Sequence, residues 1–179
     1  HALQELILQK KDVKKHTFNG WNRSSEVLLL TLPAFRDVLA EEVIGKKKVL
    51  KSGARTIVSD FETVMKIRTI QELLFVIHTQ TEKNVLSAEP ETLAAQLAES
   101  DLMQILTETH KGDAPFYFRI GVSGVMSLEE RSAFSKRVSA AIEDAFSRQL
   151  INSTSHYEVE IRLLQNREGV YVPLLKLYT

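Results

Sequence analysis

The sequence predicts an α+β fold, laid out as a βαββαβ unit followed by an ααβαββ unit. Three observations predict it. A continuous apolar run at residues 26–32 is followed by helix-spaced apolar residues and then by further strand-length runs. A long amphipathic stretch, 127–150, lies between the strand-like runs 116–122 and 157–164. Turn and breaker residues stand at the joints between these segments, at Asn19-Gly20, Ser52-Gly53 and Gly112-Asp113-Ala114-Pro115.

Taken in order, residues 26–32 have the length and composition of a strand buried on both faces. Pro33 ends the strand and is tolerated in the first turn of a helix, on which Phe35, Val38, Leu39 and Val43 recur at helical spacing. Gly45 supplies the residue that closes such a helix. Residues 48–52 and 56–60 are expected to form a hairpin across Ser52-Gly53. Residues 61–68 suit a short second helix, and 73–78 a further strand. This order is the ferredoxin-like split pattern.

An acidic segment comes next. Glu89-Pro90-Glu91-Thr92 opens a helix running through Leu97, and Leu102, Ile105 and Leu106 mark one side of another at 102–109. In the long helix, Phe134, Val138, Ala141, Ile142, Ala145 and Phe146 form the stripe expected to be buried. Ser127 and Glu130 stand at capping-box spacing at its start. Residues 157–164 and 170–178 close the chain as two strands joined by the turn 165–169. The domains expected are a basic, flexible leader at 1–25, a ferredoxin-like domain at 26–81 and a second domain at 82–179.

The chain has 179 residues, a formal net charge of zero and no cysteine. Disulfides, thiolate metal sites and a cysteine nucleophile are therefore excluded. Net neutrality conceals an uneven spread, with a basic front (residues 1–55) and an acidic middle (82–113). No apolar run approaches the roughly 20 residues that a membrane-spanning helix needs, so no membrane partner is expected. The opening His1-Ala2-Leu3 has neither an initiator Met nor a signal-peptide pattern. The chain is read as a piece of something longer.

Catalytic patterns are lacking. The five histidines are scattered without ligand spacing, and the adjacent acidic pairs Glu41-Glu42 and Glu129-Glu130 diverge on a helix by about 100°. Gly121-Val122-Ser123-Gly124 has no third glycine to make a dinucleotide fingerprint. The cations are the better lead. Lys46, Lys47, Lys48, Lys51 and Arg55 cluster on the hairpin and its lead-in, where point charges suit a phosphate backbone and would also protect a sheet edge. Arg119, Lys136 and Arg137 complete the candidate contact set. Phe116, Tyr117 and Phe118 look like a stacking platform, although alternation on a strand sends at least one into the core.

Several segments resemble the front half of THUMP-domain RNA-modifying enzymes. Leu30-Thr31-Leu32-Pro33-Ala34-Phe35-Arg36-Asp37-Val38-Leu39-Ala40-Glu41-Glu42 is similar to the family's opening strand and helix. Lys66-Ile67-Arg68-Thr69-Ile70-Gln71-Glu72-Leu73-Leu74 is similar to a segment of the THUMP methyltransferases, and Phe118-Arg119-Ile120 to the first THUMP strand. Glu158-Val159-Glu160-Ile161-Arg162 and Gly169-Val170-Tyr171-Val172 resemble the closing hairpin. Together these span residues 26–179.

The resemblance implies a ferredoxin-like domain followed by a THUMP domain, in the cytoplasm. It implies binding of structured RNA, at the acceptor stem and 3′ CCA end of tRNA or on rRNA. A C-terminal catalytic domain would follow Thr179 and would use S-adenosylmethionine if the parent is a methyltransferase. Neither a Gly-rich S-adenosylmethionine loop nor an Asn/Asp-Pro-Pro-Tyr/Phe motif occurs here, so this chain is expected to bind without catalysing and to hold no cofactor. The family often has Lys or Arg where this chain has Gly121-Val122-Ser123-Gly124. Two alternatives stay open: a stand-alone RNA-binding adaptor for a separate enzyme, or a ferredoxin-like ligand-binding or dimerisation domain.

Overall fold

In the computed structural model, the described residues are 16–20, 25–43, 47–50, 53–58 and 66–178. Their fold is α+β. Strands β1 (Thr17–Phe18) and β2 (Ser25–Leu30) lead to a 3-10 turn at Pro33–Phe35, then to α1 (Arg36–Glu42), β3 (Lys47–Leu50), β4 (Gly53–Val58) and β5 (Glu72–Val76). Next come α2 (Pro90–Ala98), α3 (Leu102–Thr109), β6 (His110–Lys111), β7 (Phe116–Ser123) and α4 (Leu128–Ala145). Three strands end the chain: β8 (Leu150–Asn152), β9 (Val159–Gln165) and β10 (Tyr171–Leu177).

Among the described residues, eight strands form one sheet in the order β3-β4-β2-β5-β10-β9-β7-β8, while β1 pairs with β6. Strand β7 runs parallel to β8 and β9, and every other pairing is antiparallel. Strands β5 and β10 meet through Leu174 opposite Val76, so residues on both sides of position 81 share one sheet. Of the leader expected at 1–25, residues 16–20 and 25 are described: Thr17–Phe18 form β1, which joins β6, and Ser25 opens β2.

Strand alternation sorts the side chains onto two faces. Val27, Leu29, Phe75, Leu175, Ile161, Phe118 and Phe116 lie on the face covered by helices, where Leu39, Leu93, Leu97, Ile105, Val138 and Ile142 meet them in one core. The opposite face carries a smaller buried cluster, Leu28, Leu74, Val76 and Leu174. Charged residues of β9, β10 and β5 flank it, with Arg162 bonded to Glu72 and Glu160, and Lys176 to Glu72.

The structure shifts several expected boundaries. The hairpin turns one residue earlier, because Leu50 pairs with Gly53 and the glycine lies within β4. A Cβ on Gly53 would collide with the Leu29 carbonyl oxygen, so the close approach of β2 requires glycine there. The long helix stops at Ala145, short of the expected 150, because Ser147 and Arg148 take positive φ. That break frees Leu150–Asn152 to become β8, a strand the sequence reading did not include. Its start is as expected, with the Ser127–Glu130 capping box formed in both directions. The proposed Gly45 closure falls outside the described residues, as do residues 61–65 of the second helix. Residues 66–71 carry turns and no helix.

Candidate functional site

Strand β7 is the strand from which the site is built. Its alternation buries Phe116 and Phe118 in the core, with Val122 beside them, and turns Tyr117 and Arg119 to the other face. The expected aromatic platform is thus split, two rings inward and one outward. Strand β8 accompanies β7 only along Phe116–Phe118. Beyond that point the edge of β7 meets no further strand among the described residues. Helix α4, anchored by Val138 and Ile142, runs alongside and completes a groove.

This groove has a volume of about 340 Å³. Arg119 and Lys136 supply its charge, and Ser132, Ser135, Asn152 and Thr154 supply hydrogen-bonding groups. Lys136 has no ion-pair partner among the described residues. Arg119 is held by Glu160 (Nε to Oε2, 2.6 Å) and by the Tyr178 hydroxyl (3.1 Å). Its guanidinium lies 4.0 Å from the centroid of the Tyr157 ring. Burial opposes this charge, but the Glu160 hydrogen bond together with the charge interactions with Glu160, Tyr178 and Tyr157 prevails and raises the guanidinium pKa above its ordinary value. Among the described residues, Arg119, Arg162 and Lys176 pair with Glu160 and Glu72, three cations to two carboxylates along this row.

Gly121, in the segment where the family often places a cation, has a packing reason. A Cβ there would stand 2.9 Å from Glu160 Oε1, so glycine leaves room for the carboxylate that holds Arg119 and Arg162.

The other predicted cations are dispersed. Arg137, one residue on from Lys136, points away to Glu91 of α2 at 3.3 Å. Lys47 lies on the helix side, where its ammonium donates to the Ala40 and Val43 carbonyls at the end of α1. Lys48 sits opposite Arg55 across the edge hairpin, and Arg55 reaches Glu26 at 3.4 Å. Lys46 and Lys51 lie outside the described residues. Arg55 and Arg119 share a face of the sheet but stand five strands apart, about 24 Å. The structure therefore joins Arg119 to Lys136 and Lys48 to Arg55, in two separate places.

Two histidine clusters appear that spacing in the sequence could not reveal. His16 and His110 pack with Phe116, and the buried Glu158 accepts from His16. His78 bridges Glu26 (2.7 Å) and Asp101 (3.2 Å), tying β2 to the start of α3. No cluster suited to a metal ion occurs among the described residues.

Burial disfavours the His78 charge, but hydrogen bonds to Glu26 and Asp101 prevail and raise its pKa above the ordinary 6.5. A raised folded-state pKa adds stability below the unfolded value, and that stability is lost as pH rises through the folded one. Compared with a His78→Gln variant, the protein is expected to hold its advantage in mild acid and lose it toward alkaline pH. Denaturation curves across that range check this, and a pH-independent difference would refute it.

No family model matches the sequence, and no curated protein does either. Solved structures do match. TrmN from Thermus thermophilus superposes with a TM-score of 0.54 at 17% identity, over 84% of this chain and 45% of its own. A 4-thiouridine synthetase, solved in complex with RNA and bound ATP, has a TM-score of 0.54 at 14% identity, over 86% of this chain and 42% of its own. A predicted N6-adenine-specific DNA methylase from Listeria monocytogenes gives 0.54 at 10% identity, over 86% and 40%. The likeness is one of fold. This chain spans less than half the length of each neighbour.

Proposed function

We propose that this chain is the RNA-binding region of a THUMP-type RNA-modifying enzyme, a methyltransferase whose catalytic domain lies outside it. In this reading residues 26–81 form the ferredoxin-like domain and 82–179 the THUMP domain. The antiparallel order β3-β4-β2-β5 is the one a split βαββαβ unit requires, and it supports the first assignment. The methyl donor S-adenosylmethionine belongs to the missing domain, and no residue of this chain is assigned to it.

The observation that carries the reading is the groove beside β7. It brings an unpaired lysine, a braced arginine and several hydroxyl groups to one sheet edge, in a fold shared with a synthetase solved on RNA. Such a surface contacts phosphates and hydroxyls, and it recognises RNA by shape and backbone. The partner is a structured RNA, the acceptor end of tRNA or an rRNA element.

Salt-titrated binding to tRNA with and without its 3′ CCA tests this. Affinity should fall steeply with salt and fall again on removal of the CCA. Lys136→Ala should lower the salt slope by about one and weaken binding across sequences. Arg137→Ala, which removes a cation already paired with Glu91, should change the slope little. Salt-steep binding indifferent to the CCA would favour rRNA. No binding at low salt would reduce the resemblance to one of fold.

A further inference from the structure

On the other side of Arg119 from the groove lies a second cavity, of about 550 Å³, within the usual range for small-ligand sites. Phe18, His156, Tyr157 and Tyr178 give it aromatic walls, and Thr17 and Ser155 add hydroxyl groups. Arg119 connects the two. It belongs to the groove, its guanidinium covers the Tyr157 ring at 4.0 Å, and it bonds the Tyr178 hydroxyl. A single segment also lines both, with Asn152 and Thr154 on the groove and Ser155 to Tyr157 on the cavity.

We infer that this cavity is a pocket for one unpaired nucleobase of the RNA strand whose phosphates occupy the groove. The inference rests on the RNA-binding reading above and adds to it a base subsite with named residues. Tyr178 is 41% exposed, and its ring meets Tyr157 edge-on at 5.0 Å. Lys176 and Arg119 stand 4.9 and 5.4 Å from the Tyr178 ring centroid, so positive charge adjoins the aromatic wall. Aromatic surface beside paired cations is what a nucleotide demands, a flat π-face joined to an anion. A base within a duplex has both faces covered and cannot enter, so the strand here is single. Hydroxyl groups and the His16 and His156 imidazoles at the wall suit the polar edges of a base better than an aliphatic ligand, and the one carboxylate of the lining, Glu158, is taken up by His16 and the Tyr117 N–H.

The test uses an RNA hairpin with a short single-stranded overhang carrying 2-aminopurine at each position in turn. Blunt and abasic hairpins and free adenosine monophosphate serve for comparison. Binding should quench fluorescence at one overhang position. Tyr178→Ala should abolish the quench and weaken overhang binding roughly tenfold relative to Tyr178→Phe, which releases Arg119 equally. Tyr178→Phe keeps the ring but loses the bond to Arg119, and should retain the quench. Salt-steep binding of the overhang RNA without quenching, and with the abasic hairpin binding equally, would overturn the pocket while leaving RNA binding intact. Adenosine monophosphate binding as tightly as the overhang would assign the pocket to a free nucleotide and overturn the strand assignment. Failure of every RNA to bind would overturn both readings.

Discussion

Replacing Glu158 with alanine is expected to destabilise the protein by about 3–5 kcal/mol, because each buried donor left without its acceptor costs roughly 1–3 kcal/mol. Glu158 is 3% exposed and accepts from the His16 backbone N–H (2.7 Å), from His16 Nδ1 (2.8 Å) and from the Tyr117 backbone N–H (3.1 Å). The His16 ring also donates through Nε2 to the Asp113 carbonyl and stacks on Phe116 at 3.9 Å. Alanine would leave two backbone N–H groups and a ring N–H without their acceptor inside the fold. It would also release the contact that joins β1 to the start of β9. Urea denaturation should show a lower midpoint at an unchanged slope. Glu158→Gln, which keeps one acceptor oxygen, should lose less. A loss below about 1 kcal/mol for alanine would mean the cluster is relaxed by water and is not a clasp.

Phe118→Ala should cost about as much, roughly 3–5 kcal/mol, through the cavity it would leave. Phe118 is fully buried, and its strand partner Val159 is buried too. Tyr117, its neighbour, faces the other side and is only half-buried, so Tyr117→Ala should cost far less. Thermal denaturation of the two variants compares them directly. Were the three aromatic residues an exposed platform, both substitutions would be mild in stability and both would weaken RNA binding. The expected pattern is a large loss of stability for one and a small loss for the other.

Much of the element list was legible in the sequence because its signals act over a few residues. Helical spacing of Leu102, Ile105 and Leu106 gave α3 at its observed limits. The capping box at Ser127 and Glu130 gave the start of α4, and Glu89-Pro90 the start of α2. Alternation foretold that part of the aromatic run on β7 would be core. The end of α4 was not legible, because Ser147 and Arg148 adopt positive φ without a glycine to announce it. Strand β8 was lost for the same reason.

The candidate site divides in the same way. Residue type singled out Arg119, Lys136 and Arg137, but adjacent positions on one helix then took opposite tasks, Lys136 in the groove and Arg137 on Glu91. The Lys46–Arg55 cluster read as one patch; its described members separate into Lys47 at a helix end and Lys48 with Arg55 on the opposite face. Nothing local marked Tyr178 as the partner of Arg119, 59 residues earlier, or Glu158 as that of His16, 142 residues earlier. By itself, then, the sequence determined the α+β class and most of the elements, since hydrophobic period, caps and turns are properties of short segments. The tertiary structure alone decided which cations converge and which aromatic rings line a cavity. Those outcomes depend on strand order and register, which only long-range pairing sets.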